Sequence, residues 1–230
     1  MMTRRFAVVA AAVGLAFVAG RNWPGPGSEA AAQPPKPETK PAAPAKPEVK
    51  PAQPPAPPPA GGPDMEALMA SMTPGEHHKV LDVMLGTWEG DVKFWMAPGT
   101  DPMTSRGTAK REWAMDGRFV IEHVDATSQD SDMRFKGMGI IGYNNVEKRY
   151  ETAWIENMST AITTSTGTYD PATKVFTYEG EMYDPMTMKK SKVRTTVDVS
   201  DPKKEIMRGY GAGPDGKEFM NFEGVFTKKD

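Results

Sequence analysis

From Gly86 onward the chain alternates apolar and polar positions with a period of two. Trp88, Val92, Phe94 and Met96 fall on one side, and Glu89, Asp91 and Lys93 on the other, the pattern of a half-buried strand. Nine further strand-like runs follow, over about 104–114, 118–127, 135–143, 148–157, 160–169, 174–182, 189–199, 204–211 and 217–227. Turn signals separate them: Asp116-Gly117, Asn144-Asn145, Tyr169-Asp170-Pro171, Asp184-Pro185, Asp201-Pro202 and Pro214-Asp215-Gly216. Connections this short, with no crossover helix among them, make neighbouring strands antiparallel. About ten such strands curl and close, because closure removes the two exposed edges. The pattern thus predicts an all-β fold, a roughly ten-stranded antiparallel up-and-down barrel.

Before the first strand the period is helical. Met65, Leu68, Met69 and Met72 share a face behind Asp64. Thr73-Pro74-Gly75-Glu76 then predicts a helix start, with Thr at the N-cap, Pro at the first helical position and Glu three residues on. Leu81 and Leu85 stack on that helix, and Gly86 ends it. The helix caps one end of the barrel. Loop parity places the tight turns at that same end and the longer loops, Ala97–Pro102, Ser128–Arg134 and Gly211–Gly216, at the other. The long-loop end is therefore the expected mouth.

Residues 1–63 have a different character. Arg4 and Arg5 precede an apolar run from Phe6 to Gly20, which reads as an export signal or a retained anchor over residues 1–21. Cleavage after Gly20 or after Ala32 satisfies the small-residue rule, and the first lies nearer the apolar run. Arg21 stands where a lipidated cysteine would be, and the chain has no cysteine. Residues 22–63 hold 15 of the 22 prolines, among Ala, Lys, Glu and Gln, with Lys36-Pro37-Glu38 echoed at Lys46-Pro47-Glu48. Such a stretch buries no apolar surface and is expected to be a disordered linker. The barrel domain then covers 64–230. The expected location is the periplasm or another exported compartment, with an inner-membrane tether through the N-terminus if the signal is retained.

The whole chain carries a formal charge of −2, and residues 64–230 alone hold 21 Lys and Arg against 27 Asp and Glu. An acidic domain without a basic stripe excludes a nucleic-acid partner. The absence of cysteine excludes thiolate metal sites, disulfides and a cysteine nucleophile. Serine-nucleophile, phosphate-loop and dinucleotide motifs are absent as well.

Several segments together resemble a bacterial family, domain of unknown function 1579. They are Gly86-Thr87-Trp88-Glu89-Gly90, Asp116-Gly117-Arg118-Phe119, Gly139 to Tyr143, Trp154-Ile155-Glu156-Asn157-Met158-Ser159-Thr160, Gly167-Thr168-Tyr169, Asp184-Pro185-Met186-Thr187 and Gly213-Pro214-Asp215-Gly216-Lys217-Glu218. The resemblance runs from about Gly75 to Thr227. It implies a calycin-like barrel, similar to lipocalins and fatty-acid-binding proteins, and brings no established substrate or catalytic residues. Asn144 and Asp116 depart from the family pattern at turn positions only.

Candidate chemistry is sparse. Gly86, Trp88 and Arg118 form a structural signature, with Trp88 packed across the closed end and Arg118 over its ring as a cation–π partner. Phe94, Met96, Trp154 and Tyr178 are the residues expected to line or rim a cavity. Met96, Met103, Met133, Met158, Met182, Met186 and Met188 gather by parity at the mouth, where flexible thioethers suit rim packing or an apolar portal, and three of them on one hairpin suit Cu(I). His123, the one histidine within a strand, would need to face inward to hold a haem or a metal. His77 and His78 read as solvent or lid residues. Glu156, Glu179, Glu181 and Glu223, with Arg194, are candidate interior polar groups for acid–base work.

The expectation is an exported barrel that binds a small apolar or amphipathic molecule non-covalently, without metal or cofactor and without enzymatic turnover. Two alternatives stand beside it: an envelope protein-interaction module with a filled barrel, and a small barrel enzyme using an interior carboxylate.

Overall fold

The computed structural model describes residues 64–184 and 189–229. The expected signal (1–21) and linker (22–63), together with Met186, Met188 and most of the Asp184-Pro185-Met186-Thr187 motif, lie outside the described residues.

Ten strands form one closed antiparallel barrel, each hydrogen-bonded to its neighbours in sequence and the last to the first. They are β1 (Gly86–Phe94), β2 (Met103–Ala114), β3 (Phe119–Ser128), β4 (Arg134–Asn144), β5 (Arg149–Glu156), β6 (Thr163–Asp170), β7 (Val175–Asp184), β8 (Lys189–Asp201), β9 (Lys204–Ala212) and β10 (Glu218–Lys229). Closure is made by β1 against β10, from Thr87 opposite Lys229 to Phe94 opposite Phe222. The all-β, up-and-down, ten-stranded architecture is the one the alternation predicts, and the strand limits agree to within about three residues.

Two of the tight turns share one construction. Asn144 Oδ1 accepts N–H groups from Val146 and Glu147, and Asp170 Oδ1 accepts that of Ala172. Lys148 and Lys174 then close these turns at φ of 55° and 56°, each donating its N–H to the residue four back. A short acceptor side chain that holds the turn's own backbone is what the Asn and Asp signals encode.

Alternation decides the interior. Trp88, Val92 and Phe94 on β1, Phe176 and Tyr178 on β7, and Phe222 and Phe226 on β10 are all buried. Two apolar clusters result. One fills the long-loop end with Phe94, Phe135, Trp154 and Phe222, against which Met96, Met103 and Met158 pack. The other fills the tight-turn end with Val120, Tyr150, Phe176 and Val199 around Leu81 and Met84 from the helical segment.

That segment consists of α1 (Met65–Met72), α2 (Glu76–Lys79) and a 3-10 turn over Val80–Met84. It caps the tight-turn end as expected, but the start differs. Gly75, not Thr73, is the N-cap: its N–H donates to His78 Nδ1 at 3.1 Å, while the Thr73 hydroxyl bonds back to Met69 O. Leu81, with no exposed surface, is the plug, a burial that contributes about 1.5–3 kcal/mol. Three hydrogen bonds fasten the plug to the barrel: Trp88 Nε1 to Met84 O (2.8 Å), Trp113 Nε1 to Asp82 Oδ1 (2.9 Å) and Tyr150 Oη to His77 O (3.0 Å). His78 is buried under this cap and His77 stacks on Tyr143 at 4.4 Å. His77 remains exposed in the cap, within the solvent or lid expectation, whereas His78 is a buried part of the lid.

Candidate functional site

Between the two apolar clusters lies a charged layer. Arg111 on β2 faces inward and stands directly opposite Glu122 on β3 in the register. Its Nε donates to Glu122 Oε1 at 2.7 Å, and its two terminal nitrogens grip both oxygens of Glu205 on β9, at 2.5 and 2.8 Å. All three side chains are at least nine-tenths hidden from solvent. Burial opposes the guanidinium charge, but the attraction of Glu122 and Glu205 outweighs it and raises the Arg111 pKa further. Two carboxylates around one cation are the interior's dominant electrostatic feature.

A cavity of about 60 Å³ opens beside this cluster. Its polar side is Arg111, Glu122, Glu205, Ser165 and Tyr178, and its apolar side includes Met84, Ile141, Trp154 and Met207. The Tyr178 hydroxyl is buried and has no hydrogen-bond partner. Burial, then the nearby Tyr150, push its pKa up. The second oxygen of Glu122 lies 3.3 Å from where a Cβ on Gly139 would stand. Trp154 lies over Gly137 and Gly139, and a Cβ at Gly137 would overlap its indole ring. Two glycines on β4 therefore let the indole form one wall of the cavity.

Of the four residues expected around a cavity, Trp154 and Tyr178 line this one. Phe94 and Met96 do not: they belong to the long-loop cluster, packed with aromatic side chains from four strands. Arg118 is also elsewhere, donating to Met115 O and Met72 O. The Trp88 ring is covered instead by Arg111 and Lys228, at 5.8 and 5.3 Å from its centroid. His123 faces outward, which removes the haem and metal geometry considered for it.

The four carboxylates considered from the sequence divide unequally. Glu179 and Glu181 are exposed, and Glu181 pairs with Lys190. Glu223 pairs with Arg208, and Arg194 holds Glu218 and stacks over Tyr210 at 3.8 Å. Only Glu156 reaches the inside, where Trp154 Nε1 donates to Oε2 (3.3 Å) while Oε1 has no partner, and burial raises its pKa. The buried interior carboxylates are Glu122 and Glu205, which the residue pattern alone does not single out. Counting pairs back from the Asp116-Gly117 turn would have set Arg111 against Glu122, since Ala114 meets Phe119 there.

Outside the barrel, a groove of about 660 Å³ runs over β4, β5 and β6, bounded by the link between α1 and α2. Met72, Pro74, Phe119, Ile140 and Tyr143 give it an apolar floor and rim, and Arg118, Arg149 and Glu151 lie in it. Four residues, Ile140, Thr152, Ala153 and Ser165, line both the groove and the cavity. The hydrogen-bonded sheet of β4, β5 and β6 separates the two there.

Residues 73–228 match the family described as "Protein of unknown function (DUF1579)". The chain belongs to this family. The closed ten-stranded barrel is consistent with a calycin-like fold for it. No curated protein matches the chain.

Proposed function

We propose that this DUF1579 protein binds a small amphipathic molecule non-covalently, with the molecule's polar end at the Arg111–Glu122–Glu205 cluster. The observation that carries the reading is the unpartnered Tyr178 hydroxyl beside that cluster, in a cavity whose other walls include Met84, Ile141, Trp154 and Met207. A barrel packed only for stability has little use for three buried charges, since replacing such a set by apolar residues is often neutral or stabilising. Convergent polar groups in an apolar-lined hollow are the usual form of a binding site.

The size of the cavity sets a condition. About 60 Å³ holds one or two water molecules, against roughly 300 Å³ or more for a typical ligand pocket. A larger molecule therefore needs the interior itself to open further. The same volume favours a second reading, an interaction module with a filled barrel, whose outer face presents Phe119, Ile140 and Ile155, each about 40% exposed.

Export of the protein, read from residues 1–21, belongs to the same proposal. Native mass spectrometry of the full chain purified from its own cells tests both points. The binding reading expects a small co-purifying molecule released on unfolding, and the bare mass reports whether the signal has been removed. A chain carrying no adduct supports the filled barrel.

A further inference from the structure

Helix α1 carries an apolar stripe that the barrel does not cover. Met65, Leu68, Met69 and Met72 follow the i, i+3, i+4, i+7 spacing that puts them on one face. All four are between 45 and 60% exposed, and no residue of α1 is buried. The helix is nevertheless held at its C-terminal end. Asn145, in the turn after β4, donates from Nδ2 to Ala70 O (3.0 Å) and Thr73 O (2.8 Å). Arg118, in the turn before β3, donates to Met72 O at 3.1 Å. These are carbonyls that a helix end leaves without an internal partner. Two barrel turns thus fix a short helix and leave its apolar face in solvent.

The apolar surface continues beyond the helix. Met72 also lines the outer groove, with Phe119 and Ile140. Met115 and Val146, in the turns that hold α1, are 71 and 72% exposed. Apolar side chains gathered in this way mark a docking surface, whereas singly scattered ones do not.

Charge selects the occupant. From Asp64 to Glu76 the chain holds Asp64, Glu66 and Glu76 and no Lys or Arg. The two turns add Asp116, Glu147 and Glu151 against Arg118, Lys148 and Arg149. Arg149 already pairs with Glu147 and Glu151, and Arg118 lies 3.8 Å from Asp116. The rim is therefore acidic. A second copy would bring the same rim, and an anionic bilayer the same sign, so both meet repulsion. The barrel is closed, and no strand edge along its ring is open to an added strand among the described residues. A partner must then dock through side chains, as an amphipathic helix does in an apolar groove.

We infer that α1 and the outer groove form a docking surface for a basic amphipathic helix of another protein. Its apolar stripe lies on Met65, Leu68, Met69 and Met72, and its Lys or Arg side chains meet the acidic rim. The surface is separate from the interior cluster and stands whether or not the barrel binds a small molecule.

The test uses the full-length chain and two labelled peptides of about 14 residues, roughly four helical turns. One has leucines at helical spacing among lysines, and the other has glutamate at every lysine position. Fluorescence anisotropy gives the affinities. The lysine peptide is expected to bind about tenfold or more tightly than the glutamate peptide at low salt. The difference should shrink at 1 M salt, where screening acts within about 3 Å. Leu68→Ser/Met69→Ser alters only exposed side chains, and circular dichroism checks that the barrel is retained. It should weaken the lysine peptide about tenfold, two half-exposed apolar side chains being worth that much. Glu66→Lys/Asp116→Lys should reduce the preference for the lysine peptide.

Equal affinity for the two peptides, or no binding of either, overturns the assignment. So does a lysine-peptide affinity unchanged in Leu68→Ser/Met69→Ser, which would leave only general attraction to an acidic domain. Sedimentation of the parent chain alone and with phosphatidylglycerol vesicles covers the other occupants. Self-association or vesicle binding that disappears in the same variant would give the face to a second copy or a bilayer and overturn the basic-helix assignment.

Discussion

Arg111 carries more of the interior than any other single side chain. It joins β2 to β3 through Glu122, reaches past β1 and β10 to Glu205, and lies under the Trp88 ring. Removing it strands two carboxylates in the core. Arg111→Met is expected to lower the unfolding free energy by about 3–5 kcal/mol in urea titrations. Much less is expected of Arg106→Met, whose partners Glu89 and Asp91 are on the outer surface. Gly137 is the second sensitive point. Gly137→Ala pushes a methyl group into the indole of Trp154, and an overpacked core of this kind loses about 1–3 kcal/mol. Near-ultraviolet circular dichroism should show the displaced Trp154 directly. At this scale the sequence was half legible. Lys110-Arg111-Glu112 places charge on both faces of β2, so alternation alone cannot say which charge goes inside. On β3 the choice between the faces of His123 and Glu122 was likewise open, and it is the burial of Val120 and Ala126 that settles it.

At the scale of elements, the tight turns and the plug were readable because their signals are local. The Asn144 and Asp170 turns are made by the residues that announce them. The helix start was not, because Thr73 and Gly75 both suit an N-cap and the choice depends on His78, whose ring faces Gly75 only once the segment docks. Docking also makes His78 sensitive to acid. Burial, then the charges of His77 and Arg118, lower its pKa from 6.5, while a hydrogen bond with the Tyr143 backbone works the other way. The unfolded chain takes up a proton at His78 before the folded one does. Its contribution to stability is therefore complete above about pH 6.5 and is lost as the pH falls below that value. Glu156, raised by burial, has the opposite sign: acidification relieves the cost of its buried charge. The urea midpoint should fall between pH 7.5 and pH 5.5 in the parent chain. In His78→Gln it should fall less, and an unchanged slope would show that His78 takes up its proton equally in both states.

For the molecule as a whole, alternation, turn spacing and the absence of crossover helices determined the barrel, because each is a property of many residues at once. Loop parity correctly assigned the tight turns and the cap to one end. It did not reveal the aromatic cluster packed at the other end. That depends on Phe94, Phe135, Trp154 and Phe222, brought together from β1, β4, β5 and β10 only after closure. A run of methionines at a rim looks the same in sequence whether the rim surrounds an opening or a stack of aromatic rings. The polar layer was hidden for a related reason: Glu205 meets Arg111 across 94 residues of chain. Local patterns predict the container well and its contents poorly.

The pairing of β1 with β10 has a consequence for how the protein is made. Thr87 and Lys229 stand opposite each other although they are synthesised on the order of 140 residues apart. Until the last strand is free to arrive, the nascent sheet has two open edges, each able to recruit a strand from another chain. The hazard ends in a single step when β10 pairs with β1. Truncation of even part of β10 should therefore yield aggregates rather than a slightly weaker barrel.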